Sequence, residues 1–217
     1  EIARPPADRA ALRASLGLHP DLPTFLAVGS RRVQSLVSAA RVLNHFGIPL
    51  QLIAVAGKDP DLYASLQQME WHIPVKLLEF TDSMPALMQA ADAIICKAGG
   101  LIVTESLACG LPMMLVDVIP GQETGNAEYI VQNGAGELVD DPLGMLETIA
   151  DWLRDDSRLL REKAENARRL GRPQAAFETA EILFNAAEVY SRRRRERRTR
   201  PRRPIADLLN ERKERNG

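Results

Sequence analysis

"AIICKAGGLIVTESLACGLPMMLVDVIPGQETGN" (Ala93–Asn126) sets two short apolar runs, AIIC (93–96) and MMLVDV (113–118), on either side of a helical stretch near 101–109. The first run leads into Lys97 and a Gly99–Gly100 pair; the second leads into Gly121, Gln122, Glu123 and Asn126. Short, nearly uninterrupted apolar runs without strict alternation suit strands buried on both faces. Two such strands joined by a helix make a parallel βαβ unit, and parallel strands end on the same side of their sheet. The two dissimilar polar clusters therefore belong on one edge.

The pattern repeats outward. TFLAV (24–28), LQLIAVA (50–56), VKLLEF (75–80) and GELV (136–139) read as further strands, with helical patterns near 33–46, 60–70, 83–91 and 124–133. This is an α/β chain, a Rossmann-like parallel sheet with flanking helices, over residues 23–172. Past about residue 142 the strands stop. PLGMLETIADWLRDDSRLLREKAENARRLG reads as two helices, and residues 173–199 as one long helix, with Gly171 as a C-terminal cap and Pro173 in a first turn. Residues 1–22 read as a connector arriving from an upstream segment. Residues 200–217 read as a basic, disordered tail.

A chain of 217 residues that is 45% hydrophobic can bury the core of one such domain. Its net charge of −1 gives no overall attraction to nucleic acid, and none is expected as a partner. The charge is unevenly placed, however: Arg192–Arg203 holds nine arginines and one glutamate. That run is either a solvated end or a contact for an anionic membrane surface. Cys96 and Cys109 both lie in apolar surroundings, which fits a reducing compartment. No apolar run approaches the roughly 20 residues needed to span a bilayer.

Ligands of doubly wound sheets bind beyond the carboxyl ends of the strands. There, Gly99–Gly100 opens a helix whose free amides make a seat for phosphate, with Lys97 adding charge; the alternative is a tight strand-to-helix turn that simply needs two glycines. Glu105, a turn further on, either accepts the hydroxyls of a ribose or satisfies the helix dipole. Gln122, Glu123 and Asn126 match the several donors and acceptors of a sugar; helix capping would explain Thr124 but leaves Gln122 and Glu123 without a role. Phe80 and Thr81 end the strand before, where a ring can stack on a base; core packing is the competing reading for Phe80.

Other chemistries find no support. Asp59-Pro60-Asp61 matches a metal-binding D-x-D pattern but precedes a helical run and reads as an N-cap. His19, His45 and His72 lack ligand spacing, so no metal site is expected. The turn after the first strand has no G-x-G-x-x-G, and no Walker loop or G-x-S-x-G elbow occurs.

Taken in order, WHIPVKLLEF, MQAADAIICKAGG, TESLACGLPMMLVDVIPGQETGN and YIVQNGAGELVDDP carry a resemblance. The run Trp71–Pro142 resembles the carboxyl-terminal, donor-binding half of GT-B glycosyltransferases of the monogalactosyldiacylglycerol synthase and processive diacylglycerol glucosyltransferase type (glycosyltransferase family 28). More distantly it is similar to the N-acetylglucosaminyltransferase of peptidoglycan lipid synthesis. The resemblance implies an inverting hexosyltransferase that takes UDP-hexose, needs no metal or other cofactor, and acts on a diacylglycerol-type lipid. Phe80 and the backbone of Thr81 would face uracil, Glu105 the ribose, and Lys97, Gly99 and Gly100 the diphosphate. Gln122, Glu123 and Asn126 would hold the hexose, with Gly121 in the same loop.

The acceptor and the catalytic base would come from an amino-terminal domain that this sequence does not include. Location at the cytoplasmic face of the cell membrane follows from the same resemblance. Relatives carry a glycine-rich loop after the first strand of this half, where this chain has Gly29 and Ser30 before Arg31 and Arg32; some carry a threonine in place of Ile102. A donor-binding subunit of a split transferase, a peptidoglycan-lipid N-acetylglucosaminyltransferase-like activity and a UDP-sugar 2-epimerase-like activity are the rival functions.

Overall fold

A computed structural model describes residues 8–29 and 35–199, with side chains as far as Ser191. Among them, six strands form one parallel sheet in the order β3-β2-β1-β4-β5-β6. The strands are β1 (Thr24–Val28), β2 (Gln51–Val55), β3 (Val75–Leu78), β4 (Ala93–Cys96), β5 (Met113–Leu115) and β6 (Gly136–Leu138). The helices between them are α2 (Leu36–Asn44), α3 (Pro60–Gln67), α4 (Met84–Ala90), α5 (Gly100–Cys109) and α6 (Thr124–Gln132). α1 (Arg9–Ser15) precedes the sheet, and α7 (Pro142–Leu170) and α8 (Ala175–Thr199) follow it.

Alternation within the strands divides the interior in two. Leu26, Ile94, Cys96, Met113 and Leu115 enter one core, beneath α4, α5 and α6. Their neighbours Phe25, Ala27, Ile95, Met114 and Val116 enter the other, with α2 and α7. Every residue of β2 and β4 is buried, as expected for central strands covered by helices on both sides. Full burial of a Leu or Ile side chain contributes about 1.5–3 kcal/mol, so these uninterrupted apolar runs specify the sheet.

Two ion-paired clusters fasten this frame, one on each face. Arg13 of α1 is buried; its Nε donates to Ala90 O at 2.8 Å and its Nη2 to Asp92 Oδ2 at 2.6 Å. Asp92 also accepts from Thr24 N, so α1, β1 and the approach to β4 are fastened together at the amino edge of the sheet. The stretch read as a connector therefore holds a docked helix. On the other face, Glu137 of β6 accepts from Trp152 Nε1 at 2.9 Å and pairs with Lys163 Nζ at 2.9 Å. Burial pushes the Glu137 carboxyl upward, but these two hydrogen bonds and the lysine charge overcome that and leave it below the ordinary glutamate range.

α7 is interrupted between Arg154 and Ser157, where Asp155, Asp156 and Ser157 take φ values of +52°, +57° and +57°. It is two helical runs, as the sequence suggests. Asp141 caps the first, its Oδ1 accepting from Leu143 N and Gly144 N. α8 forms a separate unit from Gln174 onward, and its described side chains are exposed, Phe177 and Phe184 included. No described helix is long and apolar enough to cross a membrane. The readings for Arg31, Arg32 and residues 200–217, and for the side chains of Arg192–Arg198, lie outside the described residues.

Candidate functional site

The carboxyl ends of β1 and β4 lie side by side where the strand order reverses, which is where open α/β sheets leave a crevice. Lys97, Ala98, Gly99 and Gly100 leave β4 at that point and start α5. Gly99 is the N-cap, with φ −67° and ψ 141°, a conformation open to any residue. An added β-carbon at Gly99 would meet nothing nearer than 3.6 Å, and at Gly100 nothing nearer than 3.9 Å. Neither torsion nor crowding demands glycine here. What the pair leaves is open space in front of a ten-residue helix that has no side-chain cap. Its first amides lack intrahelical partners and carry the positive end of the dipole.

The turn is braced from the next loop. Glu123, the N-cap of α6, is only 2% exposed. Its Oε1 lies 2.7 Å from Lys97 Nζ, and its Oε2 accepts from Ile119 N at 3.2 Å. Asn126 Nδ2 donates to Ala98 O at 2.9 Å. Thus two of the residues read as sugar contacts, Glu123 and Asn126, are tied to the Lys97–Gly100 turn, and the charge of Lys97 is engaged by Glu123. Gln122 and Gly121 are exposed on the same loop; Gly121, at φ +77°, donates from its amide to Thr124 Oγ1. Thr124 therefore closes a turn and is the first residue of α6, whose cap is Glu123.

Glu105 is half-buried one turn into α5, and burial pushes its carboxyl above the ordinary glutamate range. Phe80 is 48% exposed just past β3, so it is not a core residue. Lys58, which follows β2, holds its ammonium 4.0 Å above the Phe80 ring centroid, and Thr81 Oγ1 accepts from Ser83 N. Lys58 adopts φ +65° and carried no signal in the sequence, because its meaning comes only from a neighbour 22 positions away once β2 and β3 pair. Asp59, by contrast, accepts from Leu62 N as the N-cap of α3. Cys96 is buried beneath the turn, and that burial, with Glu123 nearby, pushes its thiol up to about 12, which leaves it inert as a nucleophile. A hollow of about 550 Å³ opens beside the edge, between α6 and the ends of β5 and β6.

An open crevice at the carboxyl edge of a Rossmann-like sheet is what these features define. Residues 24–178 match the glycosyltransferase family 28 C-terminal domain, and the chain belongs to that family. It is 38% identical over 176 residues to monogalactosyldiacylglycerol synthase 3 of Arabidopsis thaliana, covering 81% of this chain and 36% of that protein. A probable monogalactosyldiacylglycerol synthase 2 of Oryza sativa subsp. japonica is 37% identical, covering 79% and 38%. The chain thus spans little more than a third of the curated relatives it matches. Among solved structures, MurG of Acinetobacter baumannii superposes with a TM-score of 0.66 at 23% identity, over 85% of this chain and 55% of that one. MnaA of S. aureus, solved with UDP, gives 0.64 at 16%, over 83% and 48%. These last two share the fold.

Proposed function

We propose that this chain is the donor-binding half of an inverting glycosyltransferase that moves a hexose from UDP-hexose to a diacylglycerol-type lipid. The observation that carries this is the uncapped start of α5 behind Gly99 and Gly100, two glycines that the fold itself does not require. The diphosphate lies against those amides, and Lys97, held by Glu123, adds its charge. Phe80 offers its exposed ring to uracil beside the Thr81 backbone. Glu105 accepts from the ribose hydroxyls. Gln122, with Gly121 and Asn126, borders the hexose, and Glu123 acts as the brace that sets their loop.

In this reading, catalysis rests on stabilising the departing UDP. Negative charge develops on the leaving diphosphate as the acceptor hydroxyl attacks the anomeric carbon from the opposite face, which inverts it. Amides fixed before the reaction starts meet that charge without reorganising. In this reading the acceptor pocket and the catalytic base are supplied from outside these 217 residues. The names of the curated relatives support the lipid acceptor, and Arg192–Arg203 supports peripheral contact with an anionic membrane, at about 1 kcal/mol per arginine near the surface.

Calorimetry with UDP, UMP and uridine in metal-free buffer tests the donor site. UDP binds with micromolar-to-millimolar affinity and more tightly than uridine. Equal affinity for UDP and uridine removes the phosphate assignment.

A further inference from the structure

Asp117 follows β5 with φ +49°, in the left-handed region that a non-glycine residue enters at a cost. Among the described residues, both of its carboxylate oxygens accept from Ser35. Ser35 N donates to Oδ2 and Ser35 Oγ donates to Oδ1, each at 2.8 Å. Ser35 is the N-cap of α2, the helix that follows β1. In the sheet, β1 and β5 are not neighbours, because β4 runs between them. The pair therefore spans the end of the strand that carries Lys97, Gly99 and Gly100. From Asp117 the chain continues directly into the Ile119–Glu123 turn that braces Lys97.

We propose that Ser35 and Asp117 form a latch that positions the donor edge; this rests on the UDP-sugar reading above. The latch fixes the start of α2 to the β5–α6 connection across the crevice. The diphosphate then meets a turn already set, and no ordering free energy is spent on binding. Asp117 is a positioning residue, with its carboxylate committed to Ser35. Its strained backbone is retained because glycine, which fits the same φ without strain, has no carboxylate to offer.

The test uses the 217-residue chain and its Asp117→Gly, Asp117→Ala and Ser35→Ala variants, with UDP and uridine titrated by calorimetry and thermal unfolding followed alongside. Loss of both charge-assisted bonds in Asp117→Gly weakens UDP about tenfold. Uridine, which the diphosphate turn does not hold, keeps its affinity. Asp117→Gly unfolds at a temperature no lower than Asp117→Ala, since it sheds the backbone strain, and Ser35→Ala gives an intermediate loss. Unchanged UDP affinity in Asp117→Gly, or equal losses for UDP and uridine, overturns the latch while leaving the donor site standing. Absence of UDP binding to the parent chain overturns both.

Discussion

Lys97 Nζ and Glu123 Oε1 form an ion pair at 2.7 Å, with the glutamate almost wholly buried and the lysine partly exposed. The pair joins the first residue after β4 to the loop after β5, so the two polar ends of one stretch of sequence are held as a unit. Its partners differ in what they leave behind. Lys97→Ala strands a buried carboxylate and costs about 3 kcal/mol, whereas Glu123→Gln leaves an ammonium that can reach water and costs about 1 kcal/mol. Urea unfolding of the two variants gives the order directly, and equal costs contradict it.

The glycine pair separates folding from binding. Gly100→Ala, inside α5, leaves stability unchanged or raises it by up to about 0.5–1 kcal/mol, because alanine suits a helix better and the space is empty. The same substitution places a methyl group where the diphosphate approaches, and UDP affinity falls at least about tenfold. Gly136→Ala is the contrasting case: its β-carbon would lie close against Met113 O, and the variant loses about 3 kcal/mol with no bearing on the site. Paired unfolding and calorimetry measure both effects.

If Glu105 holds the ribose as proposed, UDP binding depends on pH. In the proposed donor site its ionised form accepts from the ribose hydroxyls, and burial raises its pKa above the ordinary glutamate value. Affinity therefore begins to fall, on acidification, above the ordinary glutamate range, and UDP binding releases protons in that window. Glu105→Gln abolishes the proton release, and Glu105→Ala weakens UDP by about 1–3 kcal/mol at neutral pH. Calorimetry in buffers of different ionisation enthalpy counts the protons.

Acid stability reports Glu137. Its folded pKa is depressed, so its contribution is present above the unfolded glutamate pKa and is lost as pH falls through the lower folded value. Glu137→Gln flattens this part of the pH profile. Fluorescence of the buried Trp152, whose Nε1 donates to Glu137, follows the loss in acid titrations.

Much of this was legible in the sequence. β1 and β4 have the bounds their apolar runs suggest, because burial on both faces leaves no choice of residue type. β5 ends earlier, at Leu115, since Asp117 turns into the left-handed region. α1 was hidden because its anchor, Arg13, is a charged residue that burial makes a fastener, an outcome composition does not reveal. The residues around the crevice could be named, but their pairing could not. Lys97 meets Glu123, Ser35 meets Asp117 and Lys58 meets Phe80 only after distant strands have aligned.

In the proposed function a uridine diphosphate rests on the amides that open α5. Amide chemical shifts of the isotope-labelled chain, followed through a UDP titration with uridine as the control, test it most directly. The Gly99, Gly100 and Leu101 amides shift saturably with UDP and stay nearly unmoved with uridine. Saturation with UDP while those three signals remain in place contradicts the claim.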